Sequence, residues 1–581
     1  MIPIRAAAIA FAVFFTILAA PSGGLAGDPA PEAASPGTDA PDGPARAQRH
    51  MVAAANPHAA RAGREILRAG GSAIDAAVAM QMVLNLVEPQ SSGIGGGGFL
   101  LHFDAAKGAT VAYDGRETAP AAARPGMFLK ADGTPMDFFD AVVGGLAVGT
   151  PGVVAMLAAA HEDHGRLAWK RLFQPAIALA ENGFAISPRL HALVSADRYL
   201  TRYEPARSYF YTESGAAKPV GTVLRNPDLA DTLRRIAEGG PAAFYEGDIA
   251  RDIVAAVREV PDNPGRLSLA DLKSYEAKRR APVCGHYRVY RVCGMPPPTS
   301  GGVTVLQILG ILSNFEMAKL EPVSADSAHL LAEAGRLAFA DRNRFLADPD
   351  YVEMPVARLT SPDYLGDRSR QIRMDRSMGG AEPGLSFDHL DMPEQPDPPS
   401  TTHLVAVDGD GNVVSFTSSV ENAFGSRVMV RGFLLNNQLT DFSFRPEIDG
   451  RPVANRAAPG KRPRSSMSPM IVFDESDAFE LAVGSPGGSR IIGYVAQALV
   501  AMLDWGLDPQ AAAAMPHALS RNGPTELEAG TGFEELAPAL KERGHDLRID
   551  SMVSGVHAIR RVADGYLGGA DPRREGVALG D

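Results

Sequence analysis

The chain is poor in cysteine, in clustered basic residues and in long apolar segments. Only two of its 581 residues are cysteines, and no histidines with ligand spacing accompany them, so we expect no metal site. The net charge is −12 and Lys and Arg form no block, which excludes nucleic acid as a partner because phosphate binding needs clustered cations. The chain is too long for one ordinary core, so we expect several domains or one large layered domain.

The amino-terminal segment has the pattern of an export signal. Arg5 supplies positive charge, residues 6–20 form an apolar run too short for a comfortable membrane span, and small residues follow at Leu25-Ala26-Gly27. We therefore expect a signal peptide over residues 1–26 and a periplasmic or secreted protein, with an uncleaved anchor as the alternative. Residues 27–48 are rich in Pro, Ala and Asp and predict a disordered leader.

The two cysteines lie in a segment with the pattern of a hairpin. A two-residue turn at Arg288-Val289 makes Tyr287 face Tyr290 and, by counting back, places Cys284 opposite Cys293. This is a non-hydrogen-bonded pair with an expected Cα separation of roughly 4.5 Å, within reach of a disulfide. We predict a Cys284–Cys293 disulfide; two reduced, buried cysteines are the alternative.

The first part of the chain combines helices with a hairpin. An ordered fold is expected from about residue 50, and a capping box at Ser72–Asp75 starts one of the helices. The middle, from about 150 to 380, is mostly helical, and residues 378–400 predict a flexible, Pro-rich linker. The elements predicted before the linker are helices at 57–69, 72–87, 168–182, 227–238, 247–258, 303–313 and 325–346, and strands at 100–103 and 110–113.

After the linker the pattern changes to strands. Residues 401–407 and 413–418 alternate on either side of the turn DGDGN, as a hairpin requires. Further strands are expected at 432–435, 470–473 and 479–483, and helices at 489–505 and 533–543. This mixture predicts a layered α+β or α/β sandwich.

The junction between linker and strand can carry chemistry. If the Ser400–Thr401 bond is cut, Thr401 becomes amino-terminal, and its hydroxyl can act as a nucleophile. Its own α-amine, with a reference pKa of about 8, can then act as the base. The triplet TTH alone is weak evidence for this, and the neighbouring motifs decide its meaning.

Motifs on both sides of Thr401 resemble the γ-glutamyltransferase (glutathione hydrolase) family. They occur in the family's order and cover about residues 50–575. These motifs are PQSSGIGGGGF at 89–99, DGRETAP at 114–120, GTPG at 149–152, MPPPTSGG at 295–302, ADRNRFLADPDYV at 340–352, LLNNQLTDF at 434–442, KRPRSSMSP at 461–469 and GSPGGSRI at 484–491.

The resemblance implies the catalytic groups. Thr401 matches the nucleophile, and the peptide bond before it matches the point of self-cleavage. Gly487 and Gly488 match the pair whose backbone N–H groups form the oxyanion hole, where donors matter most as negative charge develops. Ser419 stands where the family commonly has a second Thr that hydrogen-bonds the nucleophile, so a hydroxyl is retained.

The resemblance also implies the groups that bind the donor substrate. Arg116 matches the arginine that pairs with the α-carboxylate, which suits the planar fork of a guanidinium. Ser465 and Ser466 match the hydroxyl pair that completes this pocket. Asp441 and Gln438 match the residues that hold the α-ammonium.

Two departures from the family bear on specificity. Glu421 occupies a position that is Asn in some members and Glu in others and that touches the amino acid end of the donor. Its charge beside Asp441 should favour a donor with an ammonium group. Residues 443–460, where some members have a longer lid loop with an aromatic residue, contain no Tyr or Trp, which predicts a more open site.

The resemblance implies a four-layer αββα sandwich, cleaved into a large subunit (49–400) and a small subunit (401–581). The expected substrates are glutathione and related γ-glutamyl compounds, with water, amino acids or dipeptides as acceptors. No cofactor is implied. A cephalosporin (glutaryl) acylase on the same scaffold is the nearest alternative, and an uncleaved, inactive secreted binding protein is a second.

Overall fold

Two seven-stranded antiparallel sheets form the centre of the computed structural model, which describes residues 42–386 and 400–581. The strands of the first sheet, in spatial order, are Ala45–Ala47, Gly565–Ala570, His557–Val562, Phe479–Gly484, Met470–Phe473, Tyr290–Gly294 and Val283–Tyr287. Those of the second sheet are Val577–Gly580, Met51–Ala54, Thr402–Val407, Val413–Ser419, Gly97–Asp104, Ala109–Gly115 and Lys278–Arg280.

The strand Thr402–Val407 lies in the second sheet and is buried on both faces. Val405 and Val407 belong to the apolar core that both sheets share. Leu404 and Ala406 belong to the core beneath the helices on the opposite side. Alternate side chains of a strand point to opposite faces, so this two-sided burial fixes the strand and the residue that precedes it.

Helices cover the outer face of each sheet. Those against the second sheet include Pro57–Arg68, Ala73–Val87 and Val153–His164, and those against the first sheet include Gly301–Leu312, Ala325–Phe345 and Ile491–Leu503. The layers follow the order helix, sheet, sheet, helix. The predicted αββα sandwich of an α+β fold is therefore confirmed.

The remaining helices, most of them short, lie around these layers. They are Phe138–Val142, Trp169–Leu172, Gln174–Asn182, Pro188–Ala196, Ala206–Phe210, Pro227–Gly239, Ala242–Tyr245, Gly247–Arg258, Leu269–Lys273, Val356–Leu359, Pro362–Ser369, Pro509–Ala514, Gly532–Glu535 and Ala537–Glu542. Within the described ranges, no helix combines the length and the apolar content needed to cross a lipid bilayer.

Short strands complete the structure outside the two central sheets. They are Phe184–Ala185 with Val223–Leu224, Met429–Val430 with Phe433–Leu434, Glu447–Ile448 with Arg451–Pro452, and the three-stranded sheet of Ala518–Ser520, Thr525–Glu528 and Leu547–Asp550.

The strongest local signals in the sequence correspond to observed elements. The capping box is present: the Asp75 N–H donates to Ser72 Oγ at 3.1 Å, and the Ser72 N–H donates to the Asp75 carboxylate at 2.9 Å. Two predicted helices, 168–182 and 533–543, are each split in two. The second piece has a proline as its second residue in each case, Pro175 or Pro538, which lacks the N–H that a continuous helix would use.

The predicted disordered leader (27–48) extends too far. Ala45–Ala47 is an edge strand that pairs with Tyr566–Gly568 of the first sheet. Pairing with an existing strand satisfies its backbone groups, which composition alone does not reveal. The rest of the leader up to residue 41, and the predicted signal peptide at 1–26, lie outside the described residues.

The predicted flexible linker (378–400) also begins too early. The N–H of Ala381 donates to Asn522 Oδ1 at 2.8 Å, and the N–H of Gly384 donates to Asp341 Oδ1 at 2.8 Å. These contacts fix the segment up to residue 386 against the body of the protein. Residues 387–399 lie outside the described ranges.

The cysteine hairpin has the predicted register. Tyr287 pairs with Tyr290, and Cys284 pairs with Cys293. The two sulfurs are bonded, and the Cα atoms of the cysteines are 4.1 Å apart. The disulfide therefore closes a hairpin at the edge of the first sheet.

Candidate active site

Thr401 immediately precedes a buried strand of the second sheet, in an unusual backbone conformation. Its φ of +97° lies outside the region that a β-branched residue ordinarily adopts, and the residue is buried. Its carbonyl oxygen accepts a hydrogen bond from Arg574 Nη1 at 3.0 Å. Strand pairing begins at the next residue, where Thr402 lies opposite Ser418. Thr401 is thus held firmly on its carboxyl side.

The carbonyl oxygen of Ser400 faces a loop that carries two glycines. The Gly487 N–H donates to this oxygen at 3.2 Å. Gly487 (φ +132°) and Gly488 (φ +60°) both adopt conformations that favour glycine. A Cβ atom on Gly487 would lie 2.6 Å from the ring of Tyr494. The loop therefore directs a backbone donor at the carbonyl that precedes Thr401.

Ser419 brings a second hydroxyl to the Thr401 side chain. The two hydroxyl oxygens are 3.0 Å apart, and the Glu421 N–H donates to Ser419 Oγ at 2.8 Å. Ser419 ends the strand Val413–Ser419, which pairs with the strand after Thr401. The sheet register therefore sets the distance between the two hydroxyls.

Asn437 joins the loop after Ser419 to the next part of the site. Its amide nitrogen donates to the Glu421 carboxylate, and its amide oxygen accepts from the Asn422 N–H at 3.0 Å. Asn437 immediately precedes a 3₁₀ turn, Gln438–Asp441. Hydrogen bonds thus connect the Thr401 hydroxyl to the turn that carries Asp441.

Arg116 and Asp441 form the charged centre of the site. Arg116 is fully buried; its Nη2 donates to the Asp441 carboxylate and to the carbonyl of Arg464 at 3.0 Å, and its Nε donates to the carbonyl of Pro463 at 3.0 Å. Gln438 Nε2 donates to the same Asp441 oxygen at 2.9 Å. Within the described part of the chain, Arg116 Nη1 has no hydrogen-bond partner. A carboxylate and a guanidinium edge thus stand side by side.

Glu117 lies behind Arg116 as a second carboxyl group. It is fully buried, and its Oε2 is 3.7 Å from Arg116 Nη1. Burial raises the pKa of Glu117 to about 8, although the Arg116 guanidinium opposes this shift. The group is therefore mostly protonated at neutral pH, which leaves Asp441 as the charged partner of Arg116.

Ser465 and Ser466 directly follow the two carbonyls that Arg116 contacts. Ser466 Oγ accepts a hydrogen bond from Arg342 Nη2 at 2.6 Å. The Ser465 carbonyl accepts from the backbone N–H and the hydroxyl of Ser300 at 2.8 and 2.7 Å. The structure thus brings the serine pair to the Arg116 side of the site on a segment that is fixed from two directions.

The loop 443–460 is fastened to the body of the protein. Asn455 Nδ2 donates to the Asp441 carbonyl at 2.7 Å, and Lys461 Nζ donates to two carbonyls of the loop at 2.6 and 3.0 Å. Burial lowers the pKa of Lys461 to about 8. The Tyr351 hydroxyl donates to a further carbonyl of the loop at 2.7 Å, so an aromatic ring from another element lies against it. The expected openness of the site stays a prediction.

The buried histidines nearest this region are neutral. His403 Nδ1 lies 2.8 Å from Thr417 Oγ1, and burial holds the pKa of His403 well below its usual range. Burial likewise lowers the pKa of His557 to about 4. Neither ring carries a charge at neutral pH.

One group among the described residues has the geometry to hold a metal ion: His329, Glu333 and His545, whose ligand atoms lie within 4.8 Å of one another. His329 Nδ1 is 2.8 Å from His545 Nε2, and the outer ring nitrogens contact oxygens at 2.9 and 2.8 Å. Arg336 lies 3.0 Å from the Glu333 carboxylate. The ring nitrogens have hydrogen-bond partners, and a guanidinium neutralises the carboxylate. The group is therefore better suited to joining these elements by hydrogen bonds than to binding a cation.

Four contacts of the site were not expected from the sequence. Three of these residues lie inside motifs that carry the family resemblance: Glu117, Asn437 and Arg342. Their position in the sequence, beside other site residues, could have identified them as part of the site. Arg574 lies in the segment DPRREG, which no motif marks. Only the tertiary fold brings it to Thr401.

Comparisons with known proteins agree with this arrangement. The Gamma-glutamyltranspeptidase family matches residues 59–581. The glutathione hydrolase proenzyme of Escherichia coli (strain K12) is 38% identical over 543 residues, which is 91% of each chain. The acylase ACY 1 proenzyme of Pseudomonas sp. (strain SE83) is 37% identical over 541 residues, 91% of this chain and 92% of that one. The crystal structure of cephalosporin acylase from Bacillus halodurans has a TM-score of 0.81 at 31% identity, covering 94% of this chain and 98% of that one.

The αββα sandwich, with a buried threonine before one of its inner strands and a backbone donor at the preceding carbonyl, is the architecture of N-terminal-nucleophile hydrolases. Within that class, the match over residues 59–581 and the relatives decide the family. The chain belongs to the γ-glutamyltranspeptidase family, as its motifs predicted.

Proposed function

We propose that the chain is a γ-glutamyltransferase and glutathione hydrolase that cuts itself at Ser400–Thr401 and then uses Thr401 as its nucleophile. The observation that carries this proposal is the series of hydrogen bonds that leads from the Thr401 hydroxyl to the turn bearing Asp441, the partner of Arg116. This series unites a nucleophile with a receptor for both charges of an amino acid. Relatives named glutathione hydrolase proenzyme support the same chemistry and the same processing.

Self-cleavage begins when Thr401 Oγ1 attacks the carbonyl carbon of Ser400. The Gly487 N–H stabilises the oxyanion, and the unusual φ of Thr401 favours release of the strained peptide. The C–N bond breaks, the hydroxyl proton ends on the departing nitrogen, and an ester joins the two residues. Water hydrolyses the ester and leaves a Ser400 carboxylate and an amino-terminal Thr401.

The two products, one ending at Ser400 and the other beginning at Thr401, stay together as one heterodimer. Both central sheets contain strands from each side of the cut, such as Met51–Ala54 beside Thr402–Val407 in the second sheet. Separating the subunits would expose to water the apolar core that these strands share. Because exposing apolar surface to water costs free energy, the subunits stay associated.

The donor binds through the two charges at its α-carbon. The Arg116 guanidinium, beside Asp441, binds the α-carboxylate together with the hydroxyls of Ser465 and Ser466. Asp441 and Gln438 bind the α-ammonium. Because the Asp441 side chain is 24% exposed, it is accessible from the substrate side.

Glu421 strengthens the preference for an ammonium group. The residue is only 8% exposed, and its carboxylate accepts a hydrogen bond from Asn437. A glutaryl group has no ammonium, so it brings no cation to the carboxylates of Asp441 and Glu421. Burying carboxylates against a substrate without a cation costs free energy, so a glutaryl donor should bind less well.

In turnover, Thr401 Oγ1 forms a bond to the γ-carbonyl carbon of the donor while its proton passes to the Thr401 α-amine. The N–H groups of Gly487 and Gly488 hold the oxyanion, and Ser419 orients the hydroxyl. The γ-amide C–N bond breaks, and the ammonium returns its proton to the leaving amine. Water then releases glutamate from the γ-glutamyl ester, whereas an amino acid or dipeptide forms a new γ-glutamyl amide.

We also propose that the enzyme works outside the cytoplasm, in the periplasm or the medium. The export pattern of residues 1–26 supports this location.

A glutaryl acylase is the second candidate. Relatives with acylase names are nearly as similar as those named glutathione hydrolase. The zwitterion receptor at Arg116 and Asp441 nevertheless favours the γ-glutamyl donor.

Parallel assays with γ-glutamyl-p-nitroanilide and glutaryl-p-nitroanilide test the choice of donor. We expect the wild type to prefer the γ-glutamyl compound. Asp441→Asn should raise its KM about 10- to 100-fold, as loss of a charge-assisted hydrogen bond implies. The same variant should change the rate with the glutaryl compound only a few-fold. A wild type that prefers the glutaryl compound would instead establish the acylase.

A further inference from the structure

Asn455 lies in the loop after the Asp441 turn and joins the two sides of the donor pocket. The residue is buried; its Nδ2 donates to the Asp441 carbonyl at 2.7 Å, and its Oδ1 accepts from the Arg464 N–H at 2.9 Å. The Asn455 carbonyl also accepts from the Ser443 N–H at 2.9 Å. One amide thus bridges the segment that carries Asp441 and the segment that leads into the serine pair.

The peptide group between Pro463 and Arg464 is held from both sides. Its carbonyl oxygen accepts from Arg116 Nε at 3.0 Å, and its N–H donates to Asn455 at 2.9 Å. The Arg116 guanidinium also donates to the Asp441 carboxylate. Asp441 is therefore connected to this peptide group twice, through the charged Arg116 and through the neutral amide of Asn455.

The two bonds of the Asn455 side chain suit an amide. The Asp441 carbonyl needs a donor and the Arg464 N–H needs an acceptor, and an asparagine supplies one of each. An aspartate at this position would place a carboxylate oxygen against the Asp441 carbonyl. An alanine would remove the partner of both backbone groups, which costs free energy where these groups are buried.

Lys461 holds the backbone on either side of Asn455. Its Nζ donates to the Ala454 carbonyl at 2.6 Å and to the Arg456 carbonyl at 3.0 Å, and the lysine is itself buried. Because the carbonyls before and after Asn455 are both fixed, the amide is presented in one place. The bridge between the two sides of the pocket is therefore preorganised before a substrate binds.

We propose that Asn455 is a positioning residue that sets the separation between the carboxylate-binding and ammonium-binding sides of the donor pocket, and with it the specificity for a donor that carries both charges. This inference rests on the proposed function and deepens it. An α-amino acid has its carboxylate and its ammonium on the same carbon, so the groups that bind them must keep a fixed spacing. Ser419, on the strand Val413–Ser419, contacts the Thr401 hydroxyl. Asn455 should thus govern binding of the donor and not the bond-breaking step.

The test compares wild type and Asn455→Ala by intact mass and by kinetics with γ-glutamyl-p-nitroanilide. Asn455→Ala should still cut itself at Ser400–Thr401, which shows that it is folded. Its KM should rise on the order of 10-fold and its kcat should change less than about 3-fold, because the lost bonds shape the pocket that binds the donor. The inhibition constant of L-glutamate, which carries both charges, should rise by a similar factor. That of glutarate, which lacks the ammonium, should change less than about 3-fold.

Asn226→Ala is the matched control. Asn226 is buried and joins two other backbone segments through the same pair of bonds: its Nδ2 donates to the Gly432 carbonyl at 2.8 Å, and its Oδ1 accepts from the Leu229 N–H at 3.0 Å. Its replacement removes an equivalent bridge elsewhere in the fold. The KM and both inhibition constants of Asn226→Ala should therefore stay at the wild-type values.

The outcomes separate a positioning role from a structural one. A wild-type KM in self-cleaved Asn455→Ala, or equal rises in the inhibition constants of glutamate and glutarate, would overturn the inference. A folded Asn455→Ala that stays uncut would also overturn it, because the residue would then act on the nucleophile. If Asn455→Ala does not fold, Lys461→Met decides, since it retains the amide but releases the backbone on both sides of it. A raised KM with wild-type kcat in Lys461→Met supports the inference, and a wild-type KM contradicts it. Absence of γ-glutamyl turnover in the wild type would instead refute the proposed function, before any variant is compared.

Discussion

The Gly487 N–H donates a hydrogen bond of 3.2 Å to the carbonyl oxygen of Ser400. This is the oxygen that becomes negative when Thr401 attacks the peptide bond before it. This N–H is therefore in position before the proposed cleavage, and we propose that the same loop serves self-cleavage and turnover. In the proposed mature enzyme the γ-carbonyl of the substrate takes the place that the Ser400 carbonyl leaves.

Gly487→Ala should slow both reactions. The residue needs φ +132°, and the added Cβ would lie 2.6 Å from the Tyr494 ring, so the loop must shift and the donor with it. Loss of one oxyanion donor costs about 100- to 1,000-fold in rate. Gly506→Ala is the control, since Gly506 also has a positive φ but nothing lies near its Cβ position. Time courses of intact mass and of anilide hydrolysis measure the two rates, and unchanged rates in Gly487→Ala would rule out this oxyanion hole.

Ser419→Ala should impair the nucleophile without unfolding the site. The variant removes the hydroxyl 3.0 Å from Thr401 Oγ1. A neutral hydrogen bond contributes about 0.5–1.5 kcal/mol, so we expect kcat to fall about 3- to 10-fold with little change in KM. Ser419→Thr, which keeps the hydroxyl, should retain near-wild-type kcat. If both variants lose activity equally, the backbone at this position matters and the hydroxyl does not.

The sequence pointed to the candidate catalytic residues more readily than to the residues that hold them in place. Gly487 lies in a motif, Thr401 and Ser419 were singled out by the family resemblance, and the structure brings the three residues together. Arg574 is 173 positions from Thr401, and no local pattern connects the two. Such a contact depends on how the strands are ordered in the sheets, which periodicity does not determine.

The same limit applies to the fold. Strands with a clear apolar pattern, such as the run at 470–473, were predicted at their observed positions. The edge strand Ala45–Ala47 was assigned to a disordered leader, because a strand of only three residues, Ala-Arg-Ala, carries too little pattern. It is a strand because Gly565–Ala570 offers it an edge to pair with.

Arg427→Met should destabilise the contact between the two future subunits. Its guanidinium donates to Asp197 at 2.7 Å, and both side chains are buried. Removal of one partner leaves an uncompensated buried charge, which costs about 3–5 kcal/mol. The free energy of unfolding is measured with denaturant in the Thr401→Ala background, where the chain is uncut and its two parts cannot dissociate. The double variant Arg427→Met/Asp197→Leu should recover part of the loss, and a single variant as stable as its parent would show that the pair contributes nothing.

Glu117 should make stability fall with rising pH. Burial raises its folded-state pKa to about 8, above the ordinary value of 4.5, so its contribution is fully present below pH 4.5 and is lost as the pH rises through about 8. Glu117→Gln resembles the protonated acid and lacks this dependence. In the Thr401→Ala background the variant should match its parent at pH 4.5 and exceed it at pH 9 by roughly 2–5 kcal/mol.

Denaturant midpoints at several pH values between 4.5 and 9 test the Glu117 prediction. Glu238→Gln, at an exposed position, is the control and should follow the parent at every pH. Parallel curves for Glu117→Gln and its parent would show that Glu117 is ionised in the folded protein at neutral pH.

The most direct test of the central claim is the intact mass of wild type and Thr401→Ala, combined with release of glutamate from glutathione. We predict two wild-type fragments that meet between Ser400 and Thr401, with glutamate released, and one uncut, inactive chain for Thr401→Ala. A wild type that stays uncut, or a Thr401→Ala chain that is still cut at this bond or releases glutamate, would contradict the assignment of Thr401 as the nucleophile of both reactions.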